Sequence, residues 1–494
     1  MKWSIRSSAA LLVALAAAQG AMAEPWLAPG DTRLRNDLQL LNDAGLMQVP
    51  LSAWPLSWGD IEAALQNAQA PDVASATGEA LQRIESDLRT AATTGEPGVR
   101  FSASVADDPR FIRSFANTPR GDAEASGSLS WTGDIFALNL SATLIDDPVD
   151  DDEFSPDGTY IGMALGNWML SAGWQERWWG PGRDGSLILS TNARPSPGIA
   201  IQRNRSTAFE SKWLRWIGPW SLTSFINLLD DDREIDDALL FGLRITFRPI
   251  DSLEIGLSRT AQFCGDDRPC DARAFTDMLV GNDNAGTNVD PEDEPGNQLA
   301  GFDFRWVLPR EMPLALYAQW IGEDGRNGTA KPGSWLRQAG LEYWGRIGSL
   351  AHRTHMEFAD TSCREGGLGF SDIKPNCAYE HSIYKTGYRY NGKSLGHGID
   401  GDGRSYSMGS TLLQSAGHSW NILVRYMEIN RVGEPEPRHS ISPTPQDRTD
   451  IQLTHDRWTR FGRFCLGLGY THLDEAAGNA TSNDISAFLS WSSP

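Results

Sequence analysis

Apolar side chains recur on every second residue from about Val99 onward. The clearest run sets Leu239, Phe241, Leu243, Ile245 and Phe247 against Leu240, Gly242, Arg244, Thr246 and Arg248. Phe302, Phe304, Trp306 and Leu308 alternate with Asp303, Arg305 and Val307. Trp420, Ile422, Val424 and Tyr426 oppose Asn421 and Arg425, and Phe464, Leu466, Leu468 and Tyr470 oppose Arg463, Cys465, Gly467 and Gly469. A two-residue period sends the two sets to opposite faces of a sheet. The polar set decides the architecture. A face turned to water would be dominated by Lys and Glu; here it carries Arg, Glu, Asp, Gly and Thr, while the apolar face is rich in Trp, Phe and Leu. A closed barrel in lipid requires that pattern, apolar outside and polar within. Closure also satisfies the backbone groups that an open sheet edge would leave bare in hydrocarbon. At roughly ten residues per strand plus loops, the stretch accommodates about 16 to 18 strands.

Before Val99 the period is that of a helix. Asp31 can cap a segment with Leu34, Leu38 and Leu41 on one face, and Gly45 can end it. Ser57 with Asp60 three residues later resembles a capping box ahead of Ile61, Ala64 and Leu65. Leu81, Ile84 and Leu88 mark a third amphipathic segment. Helices this short are marginal alone and must pack on something larger. The expected organisation is a leader over 1–23, a helical bundle over 24–95 and a barrel over 96–494. The leader rests on Lys2 and Arg6, a short apolar run from Ala9 to Ala18, and the small residues of Ala21-Met22-Ala23.

Composition narrows the partners. Among 494 residues, Lys+Arg number 43 against 64 Asp+Glu, a formal charge of -21. Such a chain repels phosphate backbones, which excludes nucleic acid. Repeated apolar runs of ~20 residues are absent, which excludes a bundle of membrane helices. Trp 19, Phe 18 and Tyr 10 suit strands and aromatic girdles and exclude a disordered chain. Five cysteines fit an oxidising compartment. Cys264 with Cys270 and Cys363 with Cys377 are the simplest loop-local disulfides, leaving Cys465 over, and none has the spacing of a zinc site. Acidic loops such as Asp146 to Glu153 are expected to be solvated.

The segment richest in chemistry runs Gly173-Trp174-Gln175-Glu176-Arg177-Trp178-Trp179-Gly180-Pro181-Gly182-Arg183-Asp184-Gly185, then Ser186-Leu187-Ile188-Leu189-Ser190-Thr191-Asn192-Ala193-Arg194-Pro195. With Trp54-Pro55-Leu56-Ser57-Trp58-Gly59-Asp60 it resembles the capsule assembly Wzi family, over essentially the whole mature chain. The resemblance implies an all-β transmembrane barrel of 18 antiparallel strands with a periplasmic α-helical bundle. It also implies a lectin-like outer-membrane protein that holds capsular or extracellular polysaccharide at the cell surface. The residue types suit sugars on their own terms. Sugar C–H faces stack on indole, hydroxyl pairs bridge to carboxylates and amides, and acidic sugars match the guanidinium fork. Trp178 and Trp179 are the candidates for stacking. Glu176, Arg177, Asp184, Asn192 and Arg194 are candidates for polar contact or for the network orienting it. No cofactor, no metal and a monomer in outer-membrane lipid are expected.

Two other readings compete. A porin or sugar channel would need an open lumen. A glycoside hydrolase would need Glu176 and Asp184 as a carboxylate pair; no nucleophile elbow or His-Glu-x-x-His motif is present, and the chain reads as a non-enzyme. His397, in Leu395-Gly396-His397-Gly398, is expected in a flexible turn. Arg244, Arg248, Arg305, Arg353 and Arg425 with Glu254, Asp303, Glu342 and Glu357 are expected to brace the lumen rather than form a polyanion track, because the signs are mixed.

Overall fold

The computed structural model describes residues 25–494 apart from 67, 69–70, 92–93, 281–295, 310–311, 327–328, 415–416, 433–438 and 476–479. The expected leader, over 1–23, lies outside the described residues. The strands from Gly98–Asp107 to Ala480–Ser492 form one closed antiparallel barrel. It has 18 staves when Phe154–Ser155 and Tyr160–Leu165, which both pair with Phe136–Asp146, are taken as one. The last strand closes on the first, with Leu489 opposite Val105 and Trp491 opposite Ala103.

Alternation sorts the side chains as the pattern requires. Arg244, Thr246 and Arg248 are buried in the lumen, while Ile199, Ile161 and Ile485 stand exposed on the outer wall. Outward aromatics gather near both rims. Phe136, Trp131, Trp306, Tyr343 and Trp420 lie toward one, and Phe154, Tyr406 and Tyr426 toward the other. This is the girdle arrangement of a barrel in a bilayer. Most strand connections at the first rim are short, such as 166–167, 251–252 and 348–349. The connections that begin at residues 108, 264, 366 and 430 are long and all leave the wall at the other rim. We call these the near and far rims.

The near rim holds three helices, α1 (Thr32–Asp43), α2 (Trp58–Leu65) and α3 (Ala76–Ala91). The Asp31 side chain accepts from the Leu34 amide, and Ser57 Oγ accepts from the Asp60 amide. Leu34, Leu38 and Leu41 of α1 pack with Ile61 of α2 and Leu81 and Ile84 of α3. Asp37, fully buried in α1, takes two hydrogen bonds of 2.8 Å from Arg83 of α3. A fourth helix, α4 (Ala272–Val280), follows directly on the small far-rim ring closed by the Cys264–Cys270 disulfide. The second disulfide joins Cys363 and Cys377, and Cys465 is free.

The lumen is filled from within. Residues 174–197 leave the wall and fold inward, and almost every one is buried. Residues 376–403 of the far-rim loop pack on them. Tyr379 and Tyr388 hydroxyls donate to the Leu187 and Ile188 carbonyls at 2.7 and 2.8 Å. Burial here corrects one expectation: His397 is 2% exposed, wedged against Gly185, and is no flexible turn residue. Its glycine neighbours allow close approach to Tyr379 and Asn192 rather than mobility.

Candidate functional site

The Gly-rich turn of the inward segment is built around one wall carboxylate. Glu357 accepts from the consecutive amides of Arg183, Asp184 and Gly185 at 2.7, 3.2 and 3.0 Å. Tyr317 and Gln338 side chains complete its shell at 2.8 and 2.6 Å. A buried carboxylate persists only with such a set of donors. An ideal Cβ at Gly185 would come 2.1 Å from His397 Nε2, so the glycine is required for close packing. Wall glutamine Gln319 takes the Leu187 amide at 2.8 Å and donates to the Trp179 carbonyl at 3.0 Å. The segment is thus fastened through its backbone.

The seven candidates divide sharply. Trp178 and Trp179 are wholly buried. Trp178 lies edge-on to Phe115 at 5.3 Å inside the helical core, and Trp179 sits 5.3 Å from Phe225. Their backbones form a two-stranded ribbon with Ala53 and Trp54, which ties the inward segment to the helices. Arg177 stacks on Phe225 at 4.4 Å. Asp184 accepts from Arg425 Nε at 2.7 Å. Asn192 donates to the Ser394 carbonyl at 3.1 Å. Arg194 clamps Asp150 with two bonds of 2.6 and 2.8 Å. Asp150 thereby departs from the solvated tract expected of Asp146 to Glu153, although Asp151, Asp152 and Glu153 are exposed.

Glu176 and Arg194 alone among the seven border a hydroxyl-rich cavity between the inward segment and the wall. It measures about 420 Å³ and lies between the inward segment and the wall strands Ala480–Ser492, Gly98–Asp107, Ala123–Thr132 and Phe136–Asp146. Its wall side is hydroxyl-rich, with Ser102, Ser126, Ser141 and Thr143; Trp26 and Tyr160 supply an aromatic end. Its inward side is charged. Arg120, held by the Thr191 and Asn192 carbonyls at 3.1 and 3.2 Å, stands 3.7 Å from Glu176. Arg194 stands 3.7 Å from Asp157. Burial raises the carboxyl of Glu176 above its usual range, against the pull of Arg120. Hydroxyls, the guanidiniums of Arg120 and Arg194 and the carboxyls of Glu176 and Asp157 can hydrogen-bond a polyol from several sides.

Asp184 does not line this cavity, so Glu176 and Asp184 are not brought together as a pair there. Among the described residues no group of three or more His, Cys, Asp or Glu could hold a metal. Arg120, Asp157 and Asp150 escaped the sequence reading because they sit in ordinary-looking acidic or basic loops. Only their pairing with Arg194 and Glu176 singles them out.

The lumen charges form pairs. Arg244 meets Asp303 at 2.6 Å, and Arg305 and Arg353 meet Glu342 at 2.6 and 2.9 Å. Arg305 and Arg353 also reach Asp43, the last residue of α1, at 2.7 and 2.9 Å. Bracing is what these cations do.

The sequence model of the capsule assembly protein Wzi family matches residues 94–483. An uncharacterised 55.8 kDa protein of the cps region of Klebsiella pneumoniae is 31% identical over 477 residues, covering 93% of this chain and 88% of the relative. A solved structure from Escherichia coli superposes with a TM-score of 0.81 at 29% identity, covering 95% of this chain and 99% of that one. That protein, Wzi, is described as an outer-membrane protein involved in group 1 capsule assembly and as a carbohydrate-binding β-barrel.

Proposed function

The chain belongs to the Wzi family of capsule assembly proteins, and on that premise we propose that it attaches and organises capsular or extracellular polysaccharide at the cell surface. It is a β-barrel of the outer membrane. The near rim with its helices faces the periplasm in this reading, and the far rim with its long loops faces outward. The protein acts without catalysis and as a monomer. Polymer is held by many weak contacts on a rigid support, adding along the chain through multivalency.

One observation carries the reading: the lumen is filled by inward-folded segments, residues 174–197, 376–403 and 111–120, bonded to the wall and to each other. A filled barrel suits a fixed platform and disfavours a sugar channel. Within it, Glu176 and Arg194 face accessible space and contact a saccharide unit. Trp178, Trp179, Arg177, Asp184 and Asn192 hold the segment in place.

The test is binding of the purified protein in detergent to the producing strain's own polymer, beside retention of polymer on cells lacking the gene. Binding, and shedding of polymer from the deletion strain, are expected. Full retention by that strain would refute the proposal. Glu176→Gln, which keeps the shape and loses the charge, should weaken binding several-fold with an unchanged melting midpoint. In planar bilayers a large steady conductance would restore the channel reading.

A further inference from the structure

Most near-rim connections are short turns, but residues 204–219 form a long one. Its ends are fixed. Ser206 donates from its amide and its hydroxyl to Asp60 of α2 at 2.8 and 3.0 Å, and Ser57 Oγ donates to Asn204 at 2.6 Å. On the other side the loop lies against the outer surface of the barrel. Trp220 is directly opposite Phe247, whose parity is opposite to that of the lumen residues Thr246 and Arg248, so both rings point outward. Arg203 shares its parity with the exposed Ile199 and Ile201. Phe209 stacks on Trp220 with centroids 4.6 Å apart, and the Arg203 guanidinium lies 3.8 Å over the same ring. The loop therefore starts from the lipid-facing wall, not from the lumen.

What this scaffold presents is unusual for a surface. Trp213 is 87% exposed, Trp216 62% and Leu214 41%. Around them stand Arg203, Arg205, Lys212 and Arg215 against the single acid Glu210, on a chain whose net charge is -21. Indole with arginine and lysine is the composition of an interfacial anchor, where rings sit at headgroup level and cations meet lipid phosphate. The adjoining wall is also the shortest in the barrel. The staves Trp168–Gly173 and Gly198–Arg203 have 6 residues each, where a tilted membrane strand takes about 9–11.

We propose that residues 209–216 lie in the headgroup zone of the membrane leaflet at the near rim, with Trp213, Leu214 and Trp216 inserted and Lys212 and Arg215 on anionic phospholipid. The loop continues the lipid-facing surface sideways and supports the barrel where its own wall is lowest. The proposal rests on the outer-membrane reading and is independent of polymer binding.

The full chain with Leu214→Cys, in a Cys465→Ser background, is nitroxide-labelled and refolded into vesicles of phosphatidylethanolamine with a minor share of phosphatidylglycerol. Folding is verified by heat-modifiable gel mobility, and Ser211→Cys serves if the first variant does not fold. The label should collide more with oxygen than with an aqueous nickel chelate, in contrast to a label at Val73, an exposed residue of the helical head. Adding Trp213→Ala and Trp216→Ala should restore chelate access several-fold, and omitting phosphatidylglycerol should raise it in part. Chelate access equal to that at position 73, or no change in the double tryptophan variant, overturns the proposal. Spin–spin broadening that vanishes on dilution in lipid overturns it in favour of a second copy as occupant. Shielding unchanged without phosphatidylglycerol overturns the anionic-lipid assignment. No polysaccharide enters the assay, so failure here leaves the binding reading untouched.

Discussion

Asp43→Asn tests how the helical head is held in the barrel mouth. The carboxylate is about 1% exposed and takes bonds of 2.7 and 3.0 Å from Arg305 and 2.9 Å from Arg353. The same two guanidiniums share Glu342, which also receives Arg183. Neutralising Asp43 leaves three cations on a single carboxylate in a buried site. Removing one member of such a set costs about 3–5 kcal/mol, which is roughly two to four powers of ten in the docked-to-undocked ratio. Hydrogen exchange of the α1 amides in micelles reads this ratio locally. Exchange of α1 should accelerate by that factor while the amides of the central wall strands stay protected. A cycle with Arg353→Met should show coupling of about 1–3 kcal/mol. Burial works against the Asp43 charge, but Arg305 and Arg353 outweigh it and hold the carboxyl below its usual 3.8. A lowered carboxyl gives stability that is complete above that value and lost as pH falls through the folded value. Docking should therefore hold at pH 5 and weaken only in strong acid. Wild-type exchange rates in the Asp43→Asn protein would refute the argument.

Trp178→Ala empties a site of zero exposure and should cost about 3–5 kcal/mol. It is read as a lower urea midpoint, with polymer affinity per folded molecule unchanged; a loss of affinity at full stability would return Trp178 to sugar stacking. Gly185→Ala forces a Cβ to 2.1 Å from His397 and should lower stability by about 1–3 kcal/mol in a melting experiment. Burial beneath Phe111 lowers the Lys393 ammonium to about 6 from 10.5. The unfolded chain then binds more protons across that interval, so stability rises with pH between those values and is lowest below about 6. Lys393→Met should abolish that slope in melts followed over pH; a slope retained in the variant would rule the residue out.

The wall was legible because a membrane barrel writes its two faces into alternate residues. Leu243 and Ile245 outside with Arg244 and Thr246 inside follow from parity alone. The helical caps at Asp31 and Ser57 were legible for the same local reason. The inward segments were not. Glycine, proline and polar residues mark a solvated loop and a close-packed one alike, so residues 376–403 gave no sign that three tyrosines and His397 would be buried there. Trp178 and Trp179 were ambiguous because indole serves equally as a sugar platform and as core. Partners far along the chain decided between these roles. Arg194 is separated by 44 positions from Asp150, and Asp184 by 241 from Arg425.

Those separations bear on the order of assembly. The stretch from Arg183 to Leu187 is made early in the chain, yet its anchors at Gln319, Gln338 and Glu357 arrive 132 to 174 positions later. A packed tube cannot be threaded afterwards by a segment fastened at both ends to its own staves. The interior must be gathered while the cylinder is still an open sheet, and the seam between Ala480–Ser492 and Gly98–Asp107 zips shut around contents already in place.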